Sequence, residues 1–280
     1  MNKFNSIKKK KIIDSFSFFN EFDILKLRLN YLNDVVDYFL ICECNHTYSA
    51  IPKPYYLDQV IDDIPQDICR KIIRIKYEVD GRYYYNDHWR LENEQRNFIS
   101  KNLSQFSSDD IIMISDLDEI PNKNSIEKIL SVWDNNSLYT LKCDWFNYNF
   151  NTCLQNSWWG TCFSSVQKCI ENGSQWIRNE GAVVFNMGME SDTFEIIENG
   201  GWHFSYFSDL EKIKTKIESY AHYEFNKEEY KNFTYLNDCI KNKKSLYDKN
   251  VHFFDYNFND FPKELKKIII DIFPETYYKN

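Results

Sequence analysis

Three acids in four residues, Asp116, Asp118 and Glu119, follow directly on the apolar run at 111–114 in the stretch IIMISDLDEIP. Four consecutive apolar residues suit a short buried strand, and Pro121 stops it. Charge at the exit of a buried strand is costly unless something pairs with it. In an open α/β sheet that same end is where ligands bind. Two carboxylates one residue apart can hold a hard divalent cation. The cation can then neutralise a diphosphate and turn a nucleotide into a leaving group. The competing reading is a polar turn that does no chemistry. A calcium loop of the EF-hand kind is disfavoured, because its sixth position needs glycine and here, counted from Asp116, it is Pro121.

Other side chains invite a chemical reading. Glu43 lies inside the apolar run YFLICEC, where an acid needs a partner or a task. The segment HWRLENEQRNFISKNL pairs Arg90 with Glu94 and Glu92 with Arg96 at four-residue spacing. On a helix such pairs form surface ion pairs; alternatively one arginine reaches over the sheet edge to a phosphate. Trp158-Trp159-Gly160 is either a platform for a sugar or part of the core.

The elements that must position these residues can be read in order. Residues 11–16 form a first strand, and apolar positions 25, 29, 32 and 36 recur at helical spacing after it. Tyr38–Cys44 and Ile72–Tyr77 are strands, separated by a loop with Pro52 and Pro54. Asp87 caps a helix over 88–103. Asn124 and Glu127 open a short helix to Trp133. Residues 138–143 and 145–148 are strand-like, 149–176 reads as aromatic, Asn-rich loops, and GAVVF at 181–185 as a short strand. After Gly200-Gly201-Trp202-His203, Ser208 and Glu211 start a helix reaching about Asn226. Two further helices are expected at 230–241 and 260–273. No repeat or linker divides the chain, which reads as one domain over 1–280.

Composition narrows the function classes. Hydrophobic residues make up 43% and aromatic residues 18%, which specifies a folded core rather than a disordered chain. A net charge of −8 disfavours a protein that tracks nucleic-acid phosphates. The basic run in MNKFNSIKKKKIIDSF has no apolar stretch behind it, so neither a signal peptide nor a membrane anchor is expected. None of the eight cysteines forms a C-x-x-C pair, which disfavours a zinc ribbon, and several lie in apolar strand-like runs, so they are expected to be reduced, in a cytoplasmic protein.

In order, the segments IIDSFSFFNEFDILKLRLNYLNDVVDYFLICECNHTYSAIPKP, WRLENEQRN, ISDLDEIP and GGWHFSYFSDLEKIKTKIESYAHYEFN resemble glycosyltransferase family 17, over about residues 11–226. The resemblance implies a GT-A-type α/β fold with a Rossmann-like, mostly parallel central sheet flanked by helices; the residues beyond about 240 carry no motif of it and read as a C-terminal helical tail. It implies inverting transfer from UDP-GlcNAc with Mn2+ or Mg2+. It places Asp116 and Asp118 on the metal, with Glu119 in the same motif, and His203 as one further ligand by fold analogy. Histidine packed in the core behind Trp202 is the alternative. Asn20, Glu21, Glu43, Arg90, Glu94, Arg96 and Asp116 fall on the donor side. Animal members carry a membrane anchor and stem; without them, a free or lipid-linked glycan is the expected acceptor.

An inverting transfer also needs a carboxylate base near the acceptor hydroxyl. Asp144, Glu180, Glu190, Asp192 and Glu195 lie between the acid motif and His203. Glu180 is favoured because Gly181 could make its segment mobile. The rival functions are a non-catalytic carbohydrate- or nucleotide-binding protein and a metal-dependent phosphoesterase.

Overall fold

The computed structural model describes residues 10–187 and 194–279. Its first four strands are β1 (Ile12–Ser17), β2 (Tyr38–Cys44), β3 (Ile72–Tyr77) and β4 (Ile111–Asp116). They pair in parallel in the order β3-β2-β1-β4. Successive side chains point to opposite faces, so Ile111 and Met113 enter one core while Ile112 and Ile114 enter the other. This two-sided burial is why these strands read as nearly unbroken apolar runs. The helix Phe22–Leu32 covers the first face with Leu25, Leu29 and Leu32. The helices His88–Ser100 and Ser174–Met187 cover the second with Ile99, Ile177 and Val184.

Beyond β4 the sheet changes character. The remaining strands are β5 (Glu119–Pro121), β6 (Leu138–Asn147), β7 (Thr152–Leu154), β8 (Trp158–Ser165), β9 (Phe194–Ser205) and β10 (Phe253–Asp255). β8 lies antiparallel between β4 and β6, while β7 and β10 extend the far edge. β9 runs parallel to β6 and antiparallel to β5. The ten strands form one mixed sheet with helices on both faces, so the α/β reading stands. The two tail helices form at Phe233–Lys241 and Lys263–Ile272.

Two stretches differ from the sequence reading. Residues 149–176 are not loops: they hold β7, the central strand β8 and the helix Val166–Asn172. The segment WWGTCFSS lacks alternation because β8 is enclosed on both sides, with Cys162 and Phe163 fully buried. Residues 181–185 belong to a helix, not a strand. Gly181 serves close packing there, since a Cβ would lie 2.6 Å from Cys162 Sγ. Helix starts also shift: Asn122 caps Lys123–Ser131, and Asp209 caps Leu210–Ser219, which stops well before Asn226.

All eight cysteines are free thiols. Burial pushes Cys162 up to about 11 and Cys169 up to about 12, which keeps them protonated and unreactive. Among the described residues no helix is long and apolar enough to cross a membrane.

Candidate active site

From β1 the chain moves to β2 and β3 on one side, then returns to β4 on the other. Such a reversal leaves a crevice at the carboxyl ends of the two middle strands. Ser17 and Asp116 end β1 and β4 side by side. Both line a cleft of about 910 Å³, together with Glu21, Arg96, Asp118 and His203.

The acid loop is held from beneath by a residue that sequence reading missed. Asp14 lies in the middle of β1 and is fully buried. Arg28, on the Phe22–Leu32 helix and equally buried, donates to both Asp14 oxygens at 2.8 and 2.6 Å. Its Nη1 also donates to the carbonyls of Asp116, Leu117 and Glu119 at 3.0, 3.1 and 2.8 Å, and its Nη2 to Ser115 Oγ. One guanidinium therefore fixes the backbone of the whole turn. The available signal was Asp14 within the apolar run IIDSF, the same anomaly noted at Glu43.

Glu119 faces inward, which argues against a metal role. It is fully buried. Arg178 binds both its oxygens at 2.7 and 2.8 Å, Trp158 Nε1 donates to Oε1 at 2.8 Å, and the Asp116 N–H donates to Oε2 at 3.1 Å. Its lone pairs are spent on protein donors. Arg178 also donates to the Gly160 carbonyl at 2.8 Å and stacks on Trp159. It too was missed, as a lone arginine in a segment misread as loop and strand.

Asp116 and Asp118 face the cleft instead. Arg96 Nη2 donates to Asp116 at 2.8 Å and Arg178 Nη2 approaches it at 3.3 Å. Burial alone would raise the Asp116 carboxyl, but Arg96 and then Arg178 outweigh it and hold it below its usual range. Lys216 Nζ donates to Asp118 at 3.0 Å, and His203 Nε2 lies 3.5 Å from its other oxygen. Against the cost of burial, Lys216 and His203 keep Asp118 ionised well below the usual carboxylate range. Lys216 reaches Glu21 at 3.4 Å as well.

His203 is neither loose nor packed away behind Trp202. β9 and β6 set it opposite Trp145, and its Nε2 is 3.0 Å from Ser205 Oγ. Pairing of β5 with β9 places Glu119 across from His203 and Pro121 across from Gly201. A side chain at Gly201 would run into the Ile120 carbonyl oxygen. Close approach of the two backbones thus carries His203 to the acid loop.

Among the described residues no three His, Cys, Asp or Glu side chains gather as a metal cage. Asp116, expected on the metal, has one oxygen turned to Arg96 and the other to Arg178, which leaves Asp118 and His203 as two ligands. Magnesium-like cations take one or two carboxylates and complete their shell from substrate phosphate and water, so this donor set fits one. Charge balance agrees. Of the charged residues lining the cleft, Glu21, Glu92, Asp116, Asp118 and Asp248 outnumber Lys53, Arg96, Arg178 and Lys216 by one, so the cleft has no surplus of positive charge for a bare diphosphate.

Several expected residues stand elsewhere. Glu43 is paired with Lys53 at 2.9 Å and accepts from the N–H groups of Tyr56 and Leu57, and it does not line the cleft. Arg90 and Glu94 pair with each other on the outer helix face, where Tyr77 and Tyr84 bind Glu94. The other pair, Glu92 and Arg96, faces the cleft. Asn20 borders a separate small pocket beside Phe207 and Lys212. Asp144 points to the sheet face opposite its neighbour Trp145, by strand alternation. Glu180 sits in a regular helix turn outside the cleft, and Glu195 is exposed on β9. Asp192 and Glu190 lie outside the described residues.

The opposite cleft wall is aromatic. Trp145, Trp158 and Trp159 line one side. Tyr206 and Tyr220 both donate to the Tyr247 hydroxyl, at 3.2 and 2.9 Å, on the other. Tyr247 and Asp248 come from the tail, so the tail completes the cleft.

A family model described as glycosyltransferase family 17 matches residues 3–271. Two curated relatives, from rat and human, are each named β-1,4-mannosyl-glycoprotein 4-β-N-acetylglucosaminyltransferase. Each is 28% identical over 125 residues, covering 42% of this chain and 23% of the relative. The chain therefore aligns with about a quarter of their length. Similar solved structures include a 4-diphosphocytidyl-2C-methyl-D-erythritol synthase (TM-score 0.41, 10% identity, 68% of this chain and 90% of that one). Another is the glycosyltransferase GlyE of Streptococcus pneumoniae TIGR4 (TM-score 0.36, 12% identity, 68% of this chain and 46% of that one).

Proposed function

The chain belongs to glycosyltransferase family 17, and we propose that it transfers N-acetylglucosamine from UDP-N-acetylglucosamine to a glycan hydroxyl, with inversion at the anomeric carbon. The observation that carries this reading is the pairing of Asp116 and Asp118 with Arg96, Arg178, Lys216 and His203 at the strand-order reversal, in a cleft large enough for a nucleotide sugar. The names of the curated relatives support the sugar.

Asp118 and His203 would hold Mn2+ or Mg2+. When bound, such an ion neutralises charge on the leaving diphosphate. Arg96 and Arg178 hold Asp116 in place; Arg96 stands at the cleft beside the diphosphate, while Arg178 is committed to Glu119, Gly160 and Asp116. The tryptophan and tyrosine walls stack against sugar rings and exclude water.

Asp248 is the base in this reading. Of the carboxylates lining the cleft, Glu21, Glu92, Asp116 and Asp118 are each ion-paired, whereas Asp248 has no cation partner among the described residues. Among the described residues its side chain accepts the Asn250 N–H alone, at 2.8 Å. The acceptor hydroxyl gives its proton to Asp248 while its oxygen attacks C1. The C1–O bond to the diphosphate breaks, and UDP departs with the electron pair. The acceptor, a free or lipid-linked glycan, would approach from the tail side.

The test is UDP release from UDP-N-acetylglucosamine with an N-glycan core or chitobiose as acceptor, with Mn2+ or with EDTA. Release that needs both acceptor and metal is expected. Metal-dependent binding of UDP with no acceptor-dependent release would leave a binding protein. Asp248→Asn should abolish release yet keep UDP affinity; full turnover in that variant removes Asp248 as the base.

A further inference from the structure

β6 presents two residues to the cleft, Trp145 and Asn147, on one face and two positions apart. Across the ladder they stand opposite His203 and Ser205 of β9. Trp145 Nε1 and Asn147 Oδ1 are both buried, and neither has a hydrogen-bond partner among the described residues. Asn147 as a whole is only 4% exposed. Buried polar atoms in folded proteins are nearly always paired, so two orphans side by side in a ligand cleft call for an explanation. One is a donor and the other an acceptor.

We propose that this pair reads the 2-acetamido group of a sugar. The inference rests on the sugar-transfer reading of the cleft and specifies what the cleft discriminates. A trans secondary amide points its C=O and its N–H in opposite directions. Positions two apart on a strand project side by side from the same face, so the indole and the carboxamide can approach opposite ends of one amide. The indole N–H donates to the acetamido C=O, and the acetamido N–H donates to the Asn147 carboxamide oxygen. A hydroxyl in the same place reaches one of the two atoms and strands the other. Trp158, its ring 4.9 Å from that of Trp145, and Leu154 supply apolar surface for the acetyl methyl. The acetamido group belongs either to the donor sugar or to a sugar of the acceptor.

Calorimetry on the whole protein with Mn2+ separates these sources. The donor arm compares UDP, UDP-glucose and UDP-N-acetylglucosamine; the acceptor arm compares the p-nitrophenyl glycosides of glucose and N-acetylglucosamine. In one arm the wild type should prefer the acetamido sugar by about tenfold to a hundredfold, the range expected when a buried group is otherwise left unpaired. Trp145→Phe, which keeps a ring and deletes the N–H, and Asn147→Leu should each bring that preference close to one, with UDP affinity and melting temperature kept. Collapse in the donor arm assigns the donor sugar, and collapse in the acceptor arm the acceptor. Equal wild-type affinity for both sugars in both arms overturns the proposal, as does a preference that both variants retain. Absence of UDP binding would defeat the donor reading alone, leaving the glycoside arm to decide whether the pair reads acetamido.

Discussion

Asp118 and Glu119 are consecutive in sequence and have opposite surroundings. Every oxygen of Glu119 is taken by Arg178, Trp158 or a backbone N–H, deep in the protein. Asp118 is held by Lys216 and His203 at the cleft, where an incoming ligand can compete for the same oxygens. The underside of the turn, with Asp14 and Arg28, resembles Glu119 in being closed and fully satisfied. A saturated buried network fixes shape, whereas a paired but accessible one leaves charge to be used. The type of residue does not distinguish the two; the count of committed lone pairs does.

The largest effect should come from breaking the closed side. Arg28→Met leaves Asp14 buried and unpaired, and urea unfolding should show a loss of about 3–5 kcal/mol. Adding Asp14→Leu should restore much of that loss, because no unpaired charge then remains. A single variant as stable as the wild type would mean that the turn does not depend on its underside.

On the open side, Asp118→Asn should leave the fold intact, with near-normal circular dichroism. Turnover should drop by roughly a hundredfold to a thousandfold, the effect of removing one preorganised electrostatic group. Unfolding of this variant, with normal turnover in the folded fraction, would place Asp118 with Glu119 on the structural side.

Arg96→Lys sharpens the contrast further. Lysine keeps the charge but cannot place one nitrogen on Gln175 and another between Glu92 and Asp116, as the guanidinium does. The KM for the nucleotide sugar should rise by about tenfold, with little change in melting temperature. The smallest effect is expected at Arg90→Ala. Among the described residues Arg90 pairs with Glu94 and lies over the Tyr84 ring, both outside the cleft, so kinetics should match the wild type; a raised KM would bring the outer helix face back into the site.

The parallel half of the fold and the acid turn are legible in the sequence. Apolar runs bounded by turns mark strands buried on both faces, and the acids at the end of β4 mark its open end. β8 is not legible, because a strand buried on both faces carries no alternation and its Trp-Trp-Gly start mimics a loop. The Ser174–Met187 helix hides behind the strand-like GAVVF, although Ile177, Gly181 and Val184 already share a helical stripe. The outward turn of Asp144 follows from the inward turn of Trp145, but only once the cleft face of β6 is known. Arg28 and Arg178 escape because a lone arginine gives no pattern; their roles exist only in three dimensions. Asp248 escapes for a different reason: its segment has no periodicity, and it reaches the cleft only because the tail folds back.

That return of the tail has a consequence for how the protein is made. The Lys263–Ile272 helix packs against Phe22–Leu32, β10 joins the sheet beside β7, and Ser245, Leu246, Tyr247, Asp248 and Val251 wall the cleft. Synthesis runs from the amino end at about 5–20 residues per second. A growing chain therefore carries its acid turn for many seconds before the wall bearing Tyr247 and Asp248 exists. In that interval the nascent protein has a charged crevice with no opposite bank. Closure of the cleft therefore waits until residues 263–272 have emerged and docked on a helix made much earlier in synthesis.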